Sequence, residues 1–218
     1  MIMILDLHVF NESYWSSYLL DNKNTQMIYV INSEYNNIKS ISLVNKIAAS
    51  FDSLKLGVIS QTINSTRIKN PIFYKDDLIG IELTLNWLLQ RHNHRHGIIV
   101  IGISFGSCLA AELIMRRPEI SEYILISPPI RYYDFRVLAK LGIPGTMIIA
   151  KNDRFAALSN IYKVYNSTKI NLMCKLKIIL VRNADHLFNG KYDSLNRIIT
   201  DIYVKHTITN RYRDSINL

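Results

Sequence analysis

Cysteine is scarce in this chain, glycine is sparse, and no apolar run is long. The two cysteines among 218 residues, Cys108 and Cys174, form no C-x-x-C pair, so neither a disulfide framework nor a zinc site is expected and both thiols should be reduced. The eight glycines make no RGG tract, which removes one signature of nucleic-acid binding. Apolar runs such as 98–101 and 147–150 fall far short of the ~18 residues that a membrane-spanning helix needs. The opening Met-Ile-Met-Ile-Leu-Asp-Leu-His has no cation before its apolar stretch, unlike a secretory signal. A cytoplasmic protein without a membrane partner is the expectation.

What is present is a foldable composition. With 49% hydrophobic and 20% charged residues, the chain can bury enough apolar surface to offset its ordering entropy. The length suits one domain, expected over residues 1–206, with a polar tail over 207–218. The net charge of +9 is uneven, with nine basic and eight acidic residues before position 101 and seventeen and nine after it. Such a balance can attract nucleic acid or anionic lipid. The abundance of Ile, Asn and Lys reads instead as coding composition, and no nucleic-acid partner is expected.

Residues 26–31 make a buried-strand run ending in a polar turn. Ile41, Val44, Ile47, Ala48 and Phe51 then recur at helical spacing, and 54–59 begins another strand. After a polar stretch over 60–74, Leu78, Ile81, Leu85 and Leu88 mark a second helix, with Asp76 and Asp77 in its first turn and Arg91 in its last, which suits the helix dipole. Strands follow over 97–103, 123–127, 146–150 and 176–181, with helices over 107–116, 158–165 and 194–204. Apolar strands alternating with helices describe an α/β fold, a mostly parallel sheet covered on both faces. The apolar-rich runs around Asn11-Glu12 add an antiparallel hairpin at one edge.

Gly102-Ile-Ser104-Phe-Gly106 is a G-x-S-x-G pattern directly after an apolar strand and before a helix, the setting of a nucleophile elbow. Serine needs a base, and the base an orienting carboxylate, in the chain order Ser, Asp or Glu, His. Asp153 and His186 follow successive strands in that order, so all three groups fall at the strand ends where open α/β sheets hold their sites. Asp134, after the preceding strand, is the reserve acid, and Asp185 reads as a turn carboxylate. Cys108 reads as core packing. His92, His94 and His96 share one polar turn, but no Cys or Glu cluster joins them, so no metal is expected.

From about residue 70 to 205 the chain resembles small α/β-hydrolases of the dienelactone-hydrolase-like, lid-less kind. The likeness rests on Gly-Ile-Ser-Phe-Gly, Met-Arg-Arg-Pro-Glu-Ile at 115–120, Ser-Pro-Pro at 127–129, Tyr-Asp-Phe at 133–135, Ala-Lys-Asn-Asp at 150–153 and Ala-Asp-His-Leu-Phe-Asn-Gly at 184–190. The resemblance implies Ser104 as nucleophile, His186 as base and Asp153 as its partner. It also implies an oxyanion hole from the backbone N–H of Phe105 and one near Ser33 or Glu34. The N-terminal third departs from that family: Asn32-Ser-Glu-Tyr stands for a His-Pro-type loop and Ser60-Gln-Thr for a glycine-containing one. The expected function is a cofactor-free serine hydrolase of small esters, thioesters or similar acyl compounds, working through an acyl-enzyme at an open site. The alternative is a binding or scaffold protein of the same fold without turnover.

Overall fold

The computed structural model describes residues 3–9, 12–18, 26–33, 38–52, 54, 56–63, 73–91 and 97–216, those at 3–18, 73–74 and 205–216 by backbone alone. Eight strands form one sheet in the order β1-β2-β4-β3-β5-β6-β7-β8. The strands are β1 Met3–Val9, β2 Glu12–Tyr18, β3 Met27–Asn32, β4 Gly57–Thr62, β5 Ile98–Ile103, β6 Ile120–Ile126, β7 Gly145–Ala150 and β8 Leu176–Val181. From β4 across to β8 every pairing is parallel. β1 and β2 make the expected antiparallel hairpin, which joins the edge through β2 and β4.

Parallel strands need crossovers, and the helices supply them: α1 Ile38–Asp52, α2 Phe73–Arg91, α3 Gly106–Ile114, α4 Leu158–Ile170 and α5 Tyr192–Ile216. Period-two alternation divides the strand side chains between two cores. Tyr29, Ile31, Val100, Tyr123, Leu125 and Met147 pack with side chains of α2 and α3. Ile28, Val30, Ile99, Ile101, Ile124 and Ile148 pack with α1 and α5. Strands buried on both faces account for the near-continuous apolar runs in the sequence, and each buried Ile contributes about 1.5–3 kcal/mol of transfer free energy.

Three elements differ from their sequence-based limits. A short 3₁₀ helix, Phe135–Lys140, follows β6, begun by Asp134, whose carboxylate accepts from the Arg136 N–H. α4 continues past Tyr165, the expected end of the helix, and the hydroxyls of Ser167 and Thr168 bond back to the carbonyls of Val164 and Tyr165, so these polar side chains are accommodated in the last turns. α5 runs to Ile216, through the segment expected to be a polar tail. No helix among the described residues is long and apolar enough to cross a membrane.

Chain order along the sheet reverses beside β3, which pairs with β4 on one side and β5 on the other. Such a switch point opens a crevice at the carboxyl ends of the strands. There Asn32 is level with Ile103, so Ser33 and Ser104 each come one residue beyond the last paired position.

Candidate active site

Ser104 occupies the turn between β5 and α3 with φ +54°, a left-handed conformation that costs a non-glycine residue roughly 1–2 kcal/mol. Its surroundings hold it there. The Ser104 N–H donates to the Ile126 carbonyl at 2.9 Å, the Ser107 N–H donates to the Ser104 carbonyl at 3.0 Å, and the Ser107 hydroxyl donates to the Gly102 carbonyl at 2.9 Å. Both motif glycines are required by close approach. A Cβ on Gly106 would lie 2.2 Å from the Ile31 carbonyl oxygen, and one on Gly102 would lie 2.6 Å from the Ser107 Cα. Backbone cannot yield as a flexible side chain does, so the elbow fits against β3 only with glycine at 106.

The chain after β7 turns back through a hydrogen bond from the Asp153 N–H to the Ala150 carbonyl, and the Asn152 N–H donates to the Ala184 carbonyl at 3.0 Å. This second bond ties the Asp153 loop to the loop that carries His186. Asp153 is buried, and a buried carboxylate needs donors for its oxygens. Oδ1 accepts from the Phe155 N–H at 2.8 Å, and Oδ2 lies 2.7 Å from His186 Nδ1. Since an ionised carboxylate only accepts, Nδ1 is the donor, which leaves Nε2 as the acceptor in neutral imidazole. Nε2 lies 2.8 Å from Ser104 Oγ. The serine hydroxyl therefore donates into a three-residue chain ending on a buried acid.

Two further groups hold the imidazole, and neither was assigned a role from the sequence. The Ser127 hydroxyl donates to the His186 backbone carbonyl at 2.6 Å, from a residue that itself has φ +47°. The Phe155 ring meets the His186 ring edge to face, with centroids 4.9 Å apart. Ser127 stood in the Ser-Pro-Pro run directly after a strand, and Phe155 stands two residues past an Asp, the donor position of an Asx turn. Those were the available signals.

The other candidates fall elsewhere. Asp134 is engaged by Arg136 through its guanidinium, at distances down to 2.6 Å; these hydrogen bonds and the Arg136 charge hold its carboxyl below the ordinary range. It lies apart from the imidazole chain. Asp185 accepts from the Asn189 N–H and side-chain amide. Partial burial alone would raise its carboxyl, but the bonds from Asn189 and Leu187 and the Lys39 charge outweigh it and leave it lowered. Cys108 is packed in the α2–α3 core, and burial pushes its thiol well up, so it is no thiolate. Phe105 is the N-cap of α3, with its N–H on the elbow, and Ser33 is fully buried one residue past β3. Glu34 and the three histidines at 92, 94 and 96 lie outside the described residues. Among the described residues no three His, Cys, Asp or Glu side chains converge as metal ligands.

No family model matches the chain. Over 147 residues it is 31% identical to the uncharacterized protein RP471 of Rickettsia prowazekii (strain Madrid E), a match covering 65% of this chain and 60% of that protein. The chain thus spans about three fifths of that curated relative. Solved structures are more extensively similar in shape. The protein of unknown function ATU1826 from Agrobacterium tumefaciens superposes with a TM-score of 0.79 at 18% identity, covering 95% of this chain and 97% of that one. An alpha-beta serine hydrolase homologue from Coxiella burnetii gives 0.70 at 15% identity, over 90% and 94% of the two chains. XC6422 from Xanthomonas campestris, an α/β serine hydrolase without a lid, gives 0.68 at 15%, over 89% and 90%.

Proposed function

We propose that this chain, which has the α/β-hydrolase fold, is a serine hydrolase that cleaves an ester, thioester or similar acyl compound through an acyl-enzyme. One observation carries the reading: a hydroxyl on a strained elbow, 2.8 Å from an imidazole nitrogen whose other nitrogen meets a buried carboxylate at 2.7 Å. Ser104 Oγ attacks the acyl carbon as His186 Nε2 takes its proton. Asp153 keeps Nδ1 protonated and stabilises the imidazolium. The tetrahedral oxyanion is met by the Phe105 N–H, with the backbone after β3 at Ser33 supplying a second donor and the first turn of α3 adding its dipole. Collapse of that intermediate returns the proton from Nε2 to the leaving group. Water, deprotonated by the same nitrogen, then attacks the acyl-serine, and as the Ser104 Oγ–acyl bond breaks Oγ takes that proton back from Nε2 and the acid is released.

Small activated esters such as p-nitrophenyl acetate test the reading. His186→Ala and Asp153→Asn should each lower turnover by roughly three to four powers of ten, whereas Asp134→Asn should leave it within a few-fold of the unchanged protein. Equal losses in all three, or a loss confined to Asp134→Asn, would remove the assigned acid.

A further inference from the structure

Ser33 is fully buried, and among the described residues its hydroxyl has no hydrogen-bond partner. A buried side-chain hydroxyl normally has one, because burial without a partner forfeits the hydrogen bonds it made in water. The side-chain amide nitrogens of Asn32 and Gln61 share this condition. All three side chains stand at the carboxyl ends of β3 and β4, at the switch point of the sheet. Read from the sequence, Ser33 offered the site only its backbone N–H.

Register and alternation bring one of the three to the nucleophile. Asn32 pairs with Ile103 across β3 and β5, so Ser33 and Ser104 stand level on strands about 4.8 Å apart. The Asn32 carbonyl still accepts from the Ile63 N–H at 2.8 Å, which carries the β3–β4 hydrogen bonding to the last residue before Ser33. Asn32 turns its side chain to α1, where the Ser40 hydroxyl donates to Oδ1 at 2.9 Å. Alternation therefore turns Ser33 to the opposite face, that of Tyr29, Ile31 and the α3 side chains. Ser104 follows Val100 and Gly102 on the same face, where a Cβ on Gly102 would lie 2.8 Å from the Ala110 Cβ of α3. Gln61 also faces that way, but it lies on β4, level with Ile31 and bonded to the Tyr29 hydroxyl. Ser33 alone is level with Ser104.

We infer that the Ser33 hydroxyl is a catalytic group, a side-chain donor to the oxyanion of the tetrahedral intermediate formed on Ser104. Resting on the hydrolase reading above, this role adds an O–H to the backbone N–H groups of Phe105 and Ser33. The substrate carbonyl oxygen becomes an anion in that step, and a hydrogen bond to an anion is about twice as strong as one between neutral groups. Ser104 is only 7% exposed, so the charge develops away from water, where a fixed dipole is little screened. Ser33 is already out of water and has no hydration shell to lose as the charge appears. Its proton stays on Oγ throughout, and proton transfer is left to His186. A buried hydroxyl without a partner in the resting protein is a stability cost of the kind that functional sites carry, and it is relieved only when the oxyanion forms.

Ser33→Ala separates this role from a structural one, because the two move stability in opposite directions. Removing a partnerless buried hydroxyl should leave the melting temperature unchanged or raise it by about 2–4 °C. Turnover of p-nitrophenyl acetate should fall roughly a hundredfold, with KM changed by less than about threefold. Binding of a trifluoromethyl ketone, whose hemiketal with Ser104 carries the same oxyanion, should weaken by a similar factor. Turnover of Ser33→Ala within about threefold of the unchanged protein overturns the proposal. So does a larger loss accompanied by a lower melting temperature or by unchanged affinity for the ketone. Either result leaves the hydrolase reading in place as long as Ser104→Ala abolishes turnover. If no ester turnover depends on Ser104, that reading falls and this proposal falls with it.

Discussion

The Ser127 hydroxyl donates to the backbone carbonyl of His186 across 2.6 Å, joining the end of β6 to the loop beyond β8. The two strands are not neighbours, since β7 lies between them. The bond thus spans the Asp153 strand and fixes the height of the imidazole above it. Ser127 touches no reacting atom in the proposed chemistry and acts through His186, as a positioning residue.

Ser127→Ala removes one donor and should cost about 1 kcal/mol of stability. Its larger effect should fall on the turnover number, lowered roughly tenfold with little change in KM, because a misplaced base affects the chemical step more than binding. Steady-state kinetics beside a melting curve separate the two. A tenfold change in KM alone would contradict the positioning role.

Strain at the elbow gives a test that needs no substrate. Ser104→Gly relieves the φ of +54°, whereas Ser104→Ala keeps the left-handed cost. The glycine variant should be more stable than the alanine variant by about 1 kcal/mol, although glycine elsewhere usually destabilises. Denaturant titration of the two variants measures the difference, and an alanine variant of equal or greater stability would place the strain elsewhere.

Gly106→Ala should be among the most damaging single-methyl additions in the chain, because the new Cβ would meet the Ile31 carbonyl at 2.2 Å. Overpacking against backbone costs roughly 1–3 kcal/mol or more, and separating α3 from β3 would also displace Ser104. Gly142→Ala, where an added Cβ meets nothing within 4 Å, is the matched control and should melt close to the unchanged protein.

Burial of Glu122 raises its carboxyl from 4.5 to about 7, with the Lys177 charge opposing the rise. Below pH 4.5 both folded and unfolded chains hold this proton, and the group has no effect on stability. Between 4.5 and 7 the unfolded chain releases the proton first, so rising pH destabilises the fold. The loss reaches up to about 3 kcal/mol above pH 7. Glu122→Gln should abolish that limb, and its stability advantage over Glu122 should grow from pH 5 to pH 7.5 in urea titrations. An advantage that shrinks over this interval would reverse the sign.

Much of this was legible in sequence because the relevant signals are local. The apolar runs at 27–31, 98–101 and 147–150 mark strands buried on both faces, and G-x-S-x-G marks the turn between one of them and a helix. Ser104, Asp153 and His186 could be chosen because each stands within a few residues of the end of a strand. What was not legible depends on distance. Ser127 bonds to a carbonyl 59 positions away, and Asp134 was set aside as an imidazole partner only by its contacts with Arg136. Helix ends were misjudged where polar side chains bond back to the helix, as Ser167 and Thr168 do.

The most direct test of the central claim is to treat the folded protein with a fluorophosphonate probe and locate the adduct by mass spectrometry, with Ser104→Ala as control. The account predicts a single adduct on Ser104, absent from Ser104→Ala and slowed by at least a hundredfold in His186→Ala. An adduct on any other serine, or no adduct on folded protein, would contradict it.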